Sequence, residues 1–154
     1  MRFIVAVVGK PRDSALAAAI SDYENRAARY WPLEVHEVKE ERGKVSSPEV
    51  VKRESERLFD AIPAGATLVV CDAMGESFTS EQFSAWMQRA RESAKDVGII
   101  IGGAHGITSE LKSRAHRRLA MGAWTIPHEM ARLVLAEQMY RAGTIVRGEP
   151  YHKA

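Results

Sequence analysis

The segment Asp96-Val97-Gly98-Ile99-Ile100-Ile101-Gly102-Gly103-Ala104-His105-Gly106-Ile107 runs from an apolar stretch straight into three glycines within five positions. A short, near-continuous apolar run bounded by turn residues reads as a strand buried on both faces, the kind that parallel sheets contain. In such sheets ligands bind beyond the carboxyl ends of the strands, where turns like this one lie. Main chain so bare of side chains has two readings. Either another group must approach the backbone closely, or the glycines only supply positive φ for a turn. The spacing G-G-x-x-G is not the dinucleotide fingerprint, and no phosphate-gripping G-x-x-x-x-G-K-[ST] occurs, so a nucleotide held by its phosphates is not indicated.

Outward from that strand, the pattern alternates strand and helix. Arg2–Val8 is expected as a buried strand, broken by Gly9-Lys10-Pro11. A helix capped by Asp13 or Ser14 follows, to about Tyr30, with Leu16, Ile20, Tyr23 and Ala27 on one face. Leu33–Val38 alternates as a half-exposed strand, and Lys39–Ser47 is a polar loop. Ser47, with Pro48 in the first helical position, starts a helix to about Ala61. Ala66–Cys71 is a further buried strand, and Asp72–Ser77 a second candidate ligand turn. Thr79 and Gln82 form a capping-box pattern for a helix to about Ser93. Val97–Ile101 precedes a short helix capped by Thr108, over Ser109–Ala115. Leu119–Thr125 is expected as a last short strand, and Pro127 or His128 opens a helix to about Arg141; the tail from Gly143 shows little periodicity. The fold class is therefore α/β, a mostly parallel sheet with helices on both faces, in a single domain spanning residues 1–154.

Composition narrows the class. The chain has 154 residues, 45% hydrophobic and 27% charged, as ordinary globular proteins do. Six apolar residues near the N-terminus are too few for a signal-peptide core, and no run approaches the roughly 20 of a membrane span, so a cytoplasmic location is expected. The single Cys71 allows no internal disulfide, and the acidic residues show no metal-ligand spacing, so no metal is expected. Cys71 ends an apolar strand with no histidine near it in sequence, a poor setting for a nucleophile. Residues 1–90 hold 12 Lys/Arg against 14 Asp/Glu, and residues 91–154 hold 10 against 6, giving balances of −2 and +4. Lys112, Arg114, Arg117 and Arg118 in the basic half either face an anionic partner or form a solvated helix face.

The last helix, with Met130, Leu133, Val134, Leu135, Met139 and Tyr140, is apolar well beyond one narrow stripe. A partner subunit or packing under the sheet would bury the excess. Arg132 and Arg141 interrupt that surface, and a buried or interfacial arginine requires an anion.

Three motifs together carry a resemblance: Ile99-Ile100-Ile101-Gly102-Gly103-Ala104-His105-Gly106-Ile107, then the run Trp124–Ala142 (W-T-I-P-H-E-M-A-R-L-V-L-A-E-Q-M-Y-R-A), then R-G-E-P-Y-H-K near the end. With R-F-I-V-A-V-V-G-K at the start and D-Y-E-N-R in the first helix, the whole chain resembles the RlmH family of SPOUT-class methyltransferases. The resemblance implies a homodimer with a C-terminal trefoil knot that holds S-adenosyl-L-methionine in a bent form. It implies methylation at N3 of a pseudouridine in large-subunit (23S) rRNA within the assembled ribosome. A ribosome-binding or assembly factor that kept the fold and lost catalysis is the alternative. Cofactor contacts carried over by the resemblance are Cys71, Gly102, and the run Met121, Gly122, Ala123, Trp124, Thr125 and Ile126. Cys71 and Trp124 depart from the family pattern, in which leucine is usual at the first position and leucine or methionine at the second. His152 is expected as base or RNA contact, with Arg141 and Tyr151 beside it in the catalytic role. His128 at a helix start is expected to cap or act neutral, His105 to line the pocket, and His36 and His116 to lie on the surface.

Overall fold

The computed structural model describes residues 1–153; Ala154, the last residue of the expected domain, lies outside the described residues. Five strands, β1 (Phe3–Val8), β2 (Leu33–Val38), β3 (Thr67–Ser77), β4 (Val97–Ile100) and β5 (Arg117–Ala120), form one sheet in the order β2-β1-β4-β3-β5. Every ladder in it is parallel. Five helices connect the strands or follow them: α1 (Ser14–Ala27), α2 (Ser47–Asp60), α3 (Ser80–Glu92), α4 (Ser109–Arg114) and α5 (His128–Val146).

The two-residue period of the strands sorts the core into two layers. Phe3, Val5, Val7, Val69, Val97, Ile99 and Ile101 face one side, packed against Ala27 of α1, Phe83 and Met87 of α3, and Leu135 and Met139 of α5. Ala6, Val8, Leu68, Val70 and Ile100 face the other, against Leu58 of α2 and Leu111 of α4. Helices thus cover both faces, which is why β1 and β4 read as unbroken apolar runs. On the thicker side Trp31, 2% exposed, donates its indole N–H to the Met139 carbonyl at 2.7 Å. That bond satisfies the one polar atom of the largest buried side chain.

Three of the local start signals hold, while α2 is entered from Ser46 without a side-chain capping bond, so that Ser47 is its first residue and Pro48 its second. Asp13 accepts from the Leu16 amide at 2.9 Å. Thr79 and Gln82 make both bonds of the capping box, and Thr108 caps α4. Three boundaries differ from the sequence expectation, each for a physical reason. The Asp72–Ser77 turn is an excursion inside β3, not the end of a strand. Leu119 pairs first with Cys71 and then with Glu76, so Asp72–Gly75 loop out opposite a single partner residue. The last strand ends at Ala120, and Met121–Ile126 is irregular. Finally, α5 does not stop near Arg141. Gly143 sits inside it, because a Cβ there would lie 2.4 Å from Cγ of Tyr30; the glycine lets α5 close on that ring. The true stop is Gly148, at φ +67°. Its amide bonds to the Ile145 carbonyl and the Glu149 amide to the Thr144 carbonyl, the bond pair of a Schellman cap. Beyond it Pro150–His152 forms a 3-10 turn.

Candidate functional site

At the carboxyl ends of β4 and β5, beside the excursion within β3, lies a cleft of about 200 Å³. Its walls come from three separate stretches: Cys71–Ala73 in β3, Ile101–Gly103 with Gly106 and Ile107 after β4, and Met121, Gly122, Trp124, Thr125 and Ile126 after β5. Leu119, Lys112 and Ala131 complete it. Of the expected cofactor residues, all but Ala123 line this cleft; Ala123 is exposed nearby. Past Leu119, Met121 and Gly122 the cleft adjoins a second hollow of about 300 Å³, walled by Phe78, Phe83, Val134, Leu135, Ser80 and Gln138 among others.

The glycines of the β4–α4 turn prove to serve the protein's own packing as well as the cleft. A Cβ on Gly102 would stand 2.6 Å from Ile107 Cγ1, and one on Gly103 2.6 Å from a carboxylate oxygen of the buried Glu54. Gly106 has φ +90°, and its amide closes the turn on the Gly103 carbonyl at 3.1 Å. Both readings of the bare backbone therefore hold in part: positive φ at Gly106, close approach at Gly102 and Gly103, with that approach made by protein atoms. Next to this turn Ser55 accepts from the Thr108 amide at 3.1 Å, so α2 braces the loop at Gly103 and at Thr108. His105 occupies the exposed apex of the turn and does not line the cleft, contrary to expectation.

Two features of the cleft bear on chemistry. Desolvation pushes the Cys71 thiol up to about 12, so it stays protonated and contributes shape, not nucleophilicity. At the rim Asp72, its side chain 7% exposed, lies 3.6 Å from Lys112 and 3.5 Å from Arg118. One carboxylate thus holds two cations at the mouth. Among the described residues no three His, Cys, Asp or Glu side chains gather as a metal site would require.

The expected catalytic residues form a different constellation. Glu137 accepts from Arg141 at 2.5 and 3.0 Å and from the Tyr151 hydroxyl at 3.1 Å. The Arg141 guanidinium lies 5.0 Å from the Tyr151 ring centroid, and Nη1 reaches the His152 carbonyl at 3.5 Å. Tyr151 packs on Tyr140 at 4.6 Å and meets the Tyr23 hydroxyl at 3.5 Å. Burial, the Tyr23 contact and the Glu137 charge all raise the Tyr151 pKa, so the phenol remains a donor. His152 Nδ1 lies 3.1 Å from the Glu149 carbonyl. His152, Arg141 and Tyr151 are brought together with one another, yet none lines the cleft of its own chain. Gln138 connects the two regions: it walls the second hollow, accepts from Ser80 Oγ at 2.8 Å and donates to Glu137 at 2.8 Å.

Arg132 finds its anions within the chain, Glu24 at 2.7 Å and Glu37 at 3.2 Å. Burial opposes its charge, but those two carboxylates outweigh it and raise the pKa. It is a structural ion pair between α5, α1 and β2. His36 is exposed as expected; His116 is exposed too, but its Nδ1 accepts from the Leu68 amide at 2.9 Å, so it also ties β5 to β3. His128, the first residue of α5, is half-buried, and its side chain makes no capping bond. Glu137 and Tyr23 were missed from sequence. The i,i+4 spacing of Glu137 and Arg141 was a signal for the first; nothing local pointed to Tyr23.

A family model described as "Predicted SPOUT methyltransferase" matches residues 1–152. The chain belongs to the SPOUT methyltransferase family. Within it, the chain is 56% identical over 154 residues to a protein of Gemmatimonas aurantiaca named "Ribosomal RNA large subunit methyltransferase H", covering 99% of this chain and 100% of that one. A protein of the same name from Anaeromyxobacter dehalogenans is 40% identical over 153 residues, covering 99% and 100%. Among solved structures, a probable methyltransferase from Bordetella pertussis superposes with a TM-score of 0.56 at 15% identity, over 90% of this chain and 95% of that one. A probable methylase family protein from Haemophilus influenzae gives 0.55 at 11%, over 96% and 69%. These two structures share the fold of the chain, and at that identity speak to fold alone. No helix among the described residues is long and apolar enough to cross a membrane.

Proposed function

We propose that this SPOUT methyltransferase, a single domain over residues 1–154, binds S-adenosylmethionine in the cleft. It methylates N3 of a pseudouridine in large-subunit ribosomal RNA, in the assembled ribosome and in the cytoplasm. The observation that carries the reading is the meeting of three chain segments, far apart in sequence, in one cleft lined by four glycines and, for the most part, apolar residues.

The residues suit the cofactor. A purine edge carries donors and acceptors that backbone N–H and C=O groups at Gly102 and along Met121–Ile126 would match. Leu119, Met121, Ile126 and Ala131 supply apolar walls for its faces. The second hollow, meeting the first at Met121 and Gly122, suits a ligand bent between its purine and amino-acid ends. Bound there, the cofactor supplies an activated methyl group on a sulfonium. What remains for the protein is positioning and handling of the N3 proton. A neutral His152 that donates through Nδ1 to the Glu149 carbonyl keeps its Nε2 lone pair for that proton. Arg141 supplies positive charge for the pyrimidine oxygens, and Tyr151, held protonated, is a donor and not a base. No metal has a role in this scheme.

Because the tail cluster does not line its own cleft, these roles call for a homodimer in which one chain's tail serves the other's cleft. The apolar, open hollow beside α5 is consistent with a pairing surface. A C-terminal trefoil knot is also part of the proposal. The chain leaves β5 at the sheet edge and must return across the strand ends through Met121–Ile126 before α5 packs against α1.

Calorimetry with S-adenosylmethionine and transfer of labelled methyl to ribosomes lacking the modification test the reading together. Absence of cofactor binding would overturn it. Ribosome binding without label transfer would instead favour a non-catalytic ribosome-binding or assembly factor.

A further inference from the structure

The three tryptophans of the chain differ sharply in surroundings. Trp31 is 2% exposed, with Phe3 at 5.6 Å and the Arg91 guanidinium at 5.1 Å. Trp86 is stacked on Phe83 at 5.6 Å. Trp124 is 85% exposed, and among the described residues no ring or guanidinium stacks on it. Trp124 belongs to the wall of the cleft, but an indole so exposed is not enclosed as in a closed adenine pocket. A large flat apolar group left in water at the mouth of a ligand cleft is a binding surface in search of a partner.

The chemistry around it selects the partner. Lys112 lines the same cleft, and Arg118 sits beside it, both near the single carboxylate of Asp72. An incoming phosphate can take over these cations, since neither is buried and each is shared with one acid. A cleft that carries an exposed aromatic side chain, with exchangeable cations at Asp72 on its rim, suits an unstacked nucleotide, whose base stacks and whose phosphates pair with charge. A base inside a stem cannot reach a methyl donor in a cleft, so it must be turned out and given a surface to rest on. In the homodimer proposed above the partner's tail reaches this cleft and would meet the same base from the other side; burial of the indole itself in the interface between the two copies is the rival. The centre of such an interface is depleted of charge, whereas this mouth carries Lys112 and Asp72.

We propose that the Trp124 indole is the stacking platform for the target nucleobase once it is unstacked from its RNA, with Lys112 and Arg118 gripping the adjacent phosphates. The inference rests on the methyltransferase reading above and adds to it the residue that presents the acceptor. Phosphate contacts spread over the ribosome surface supply most of the affinity, so loss of the platform should appear in kcat. Loss of a cation should appear in KM and its salt dependence.

The experiment compares the wild-type protein with Trp124→Leu, Trp124→Phe and Lys112→Ala. It measures S-adenosylmethionine affinity by calorimetry, association state by sedimentation, and steady-state transfer to unmodified ribosomes. Expected for Trp124→Leu are a cofactor affinity within about twofold of wild type, an unchanged association state and a kcat lowered about tenfold or more, in line with the loss of one stacked base. Trp124→Phe should recover most of that loss, because a ring of any kind stacks, and Lys112→Ala should raise KM while sparing kcat. A parallel fall in cofactor affinity would make Trp124 an adenine contact and overturn the proposal. A changed association state would make it an interface residue and overturn the proposal equally, and so would an unaltered kcat. Wild-type protein that transfers no methyl group at all is a different failure, that of the underlying activity.

Discussion

The cleft and the C-terminal cluster are built on opposite plans. The cleft is lined mostly by glycines and apolar residues, with a protonated thiol and a rim of shared cations. In the cluster nearly every polar atom already has a partner: Arg141 and Tyr151 on Glu137, His152 on Glu149, Tyr30 on Glu149 at 2.5 Å. A surface that must receive a ligand leaves its hydrogen-bonding groups available, while one that must present side chains in a fixed pose satisfies them in advance. The two regions should therefore fail differently when perturbed.

The harshest test is at Gly75, in the excursion that brings β3 past β5. A Cβ there would stand 2.6 Å from the Arg118 carbonyl carbon and oxygen, atoms of backbone that cannot swing aside. Gly75→Val is expected to cost more than about 3 kcal/mol of stability and to abolish cofactor binding with it. Chemical denaturation measures the loss; a near-native midpoint would mean the cleft tolerates side chains where it should not. Next in size is Glu137→Ala, which releases Arg141 and Tyr151 together. Methyl transfer should fall about 100-fold, the scale of misplaced acid–base groups, with cofactor affinity hardly changed. If cofactor affinity fell equally, the two regions would be one site within a single chain. Gly102→Ala should do the converse. The new methyl group displaces Ile107 and shifts the turn, so affinity is expected to drop about tenfold, or about 1.4 kcal/mol, while the fold survives. Calorimetry at two temperatures together with a thermal melt separates these effects.

The smallest effect is the response of the tail to alkali. The bond to Glu149 raises the pKa of Tyr30, and burial foremost raises that of Tyr151, each from an ordinary 10.0. For an acid whose folded pKa lies above its unfolded one, the neutral form is the stabilised one. Its contribution is complete below about pH 10 and is lost as pH rises past that value. Tyrosinate absorbance should show two late-titrating tyrosines, and melting temperature should fall modestly above about pH 10 in the intact protein. The fall should be smaller in Tyr151→Phe. Identical titrations in both would detach Tyr151 from the cluster.

Much of this was legible in the chain. The strands announced themselves because a sheet covered on both faces needs apolar residues at successive positions, and Asp13, Thr79 and Thr108 marked helix starts through hydrogen bonds that span three residues. The order of strands was not legible, since β1 lying between β2 and β4 depends on packing between residues nearly a hundred apart. Gly143 looked like a helix end because nothing local reveals that Tyr30 fills the space beside it. Gly148, five residues on, was the real stop. Asp72–Ser77 read as a turn because local composition cannot show that β5 continues the ladder on its far side. Of the eight residues expected to hold a cofactor, seven line one cleft, while Glu137, which organises the tail, escaped notice.

By itself the sequence determined the layered α/β class, the buried character of the central strands and the helix starts, all properties of spacing within a dozen residues. Only the tertiary structure decided that three distant bends share one cleft, that Gly102 and Gly103 face Ile107 and Glu54, and that Trp124 stands uncovered at the mouth. Those are matters of which surfaces meet, and contact between distant segments is set by how the whole core packs, not by the pattern along any one of them.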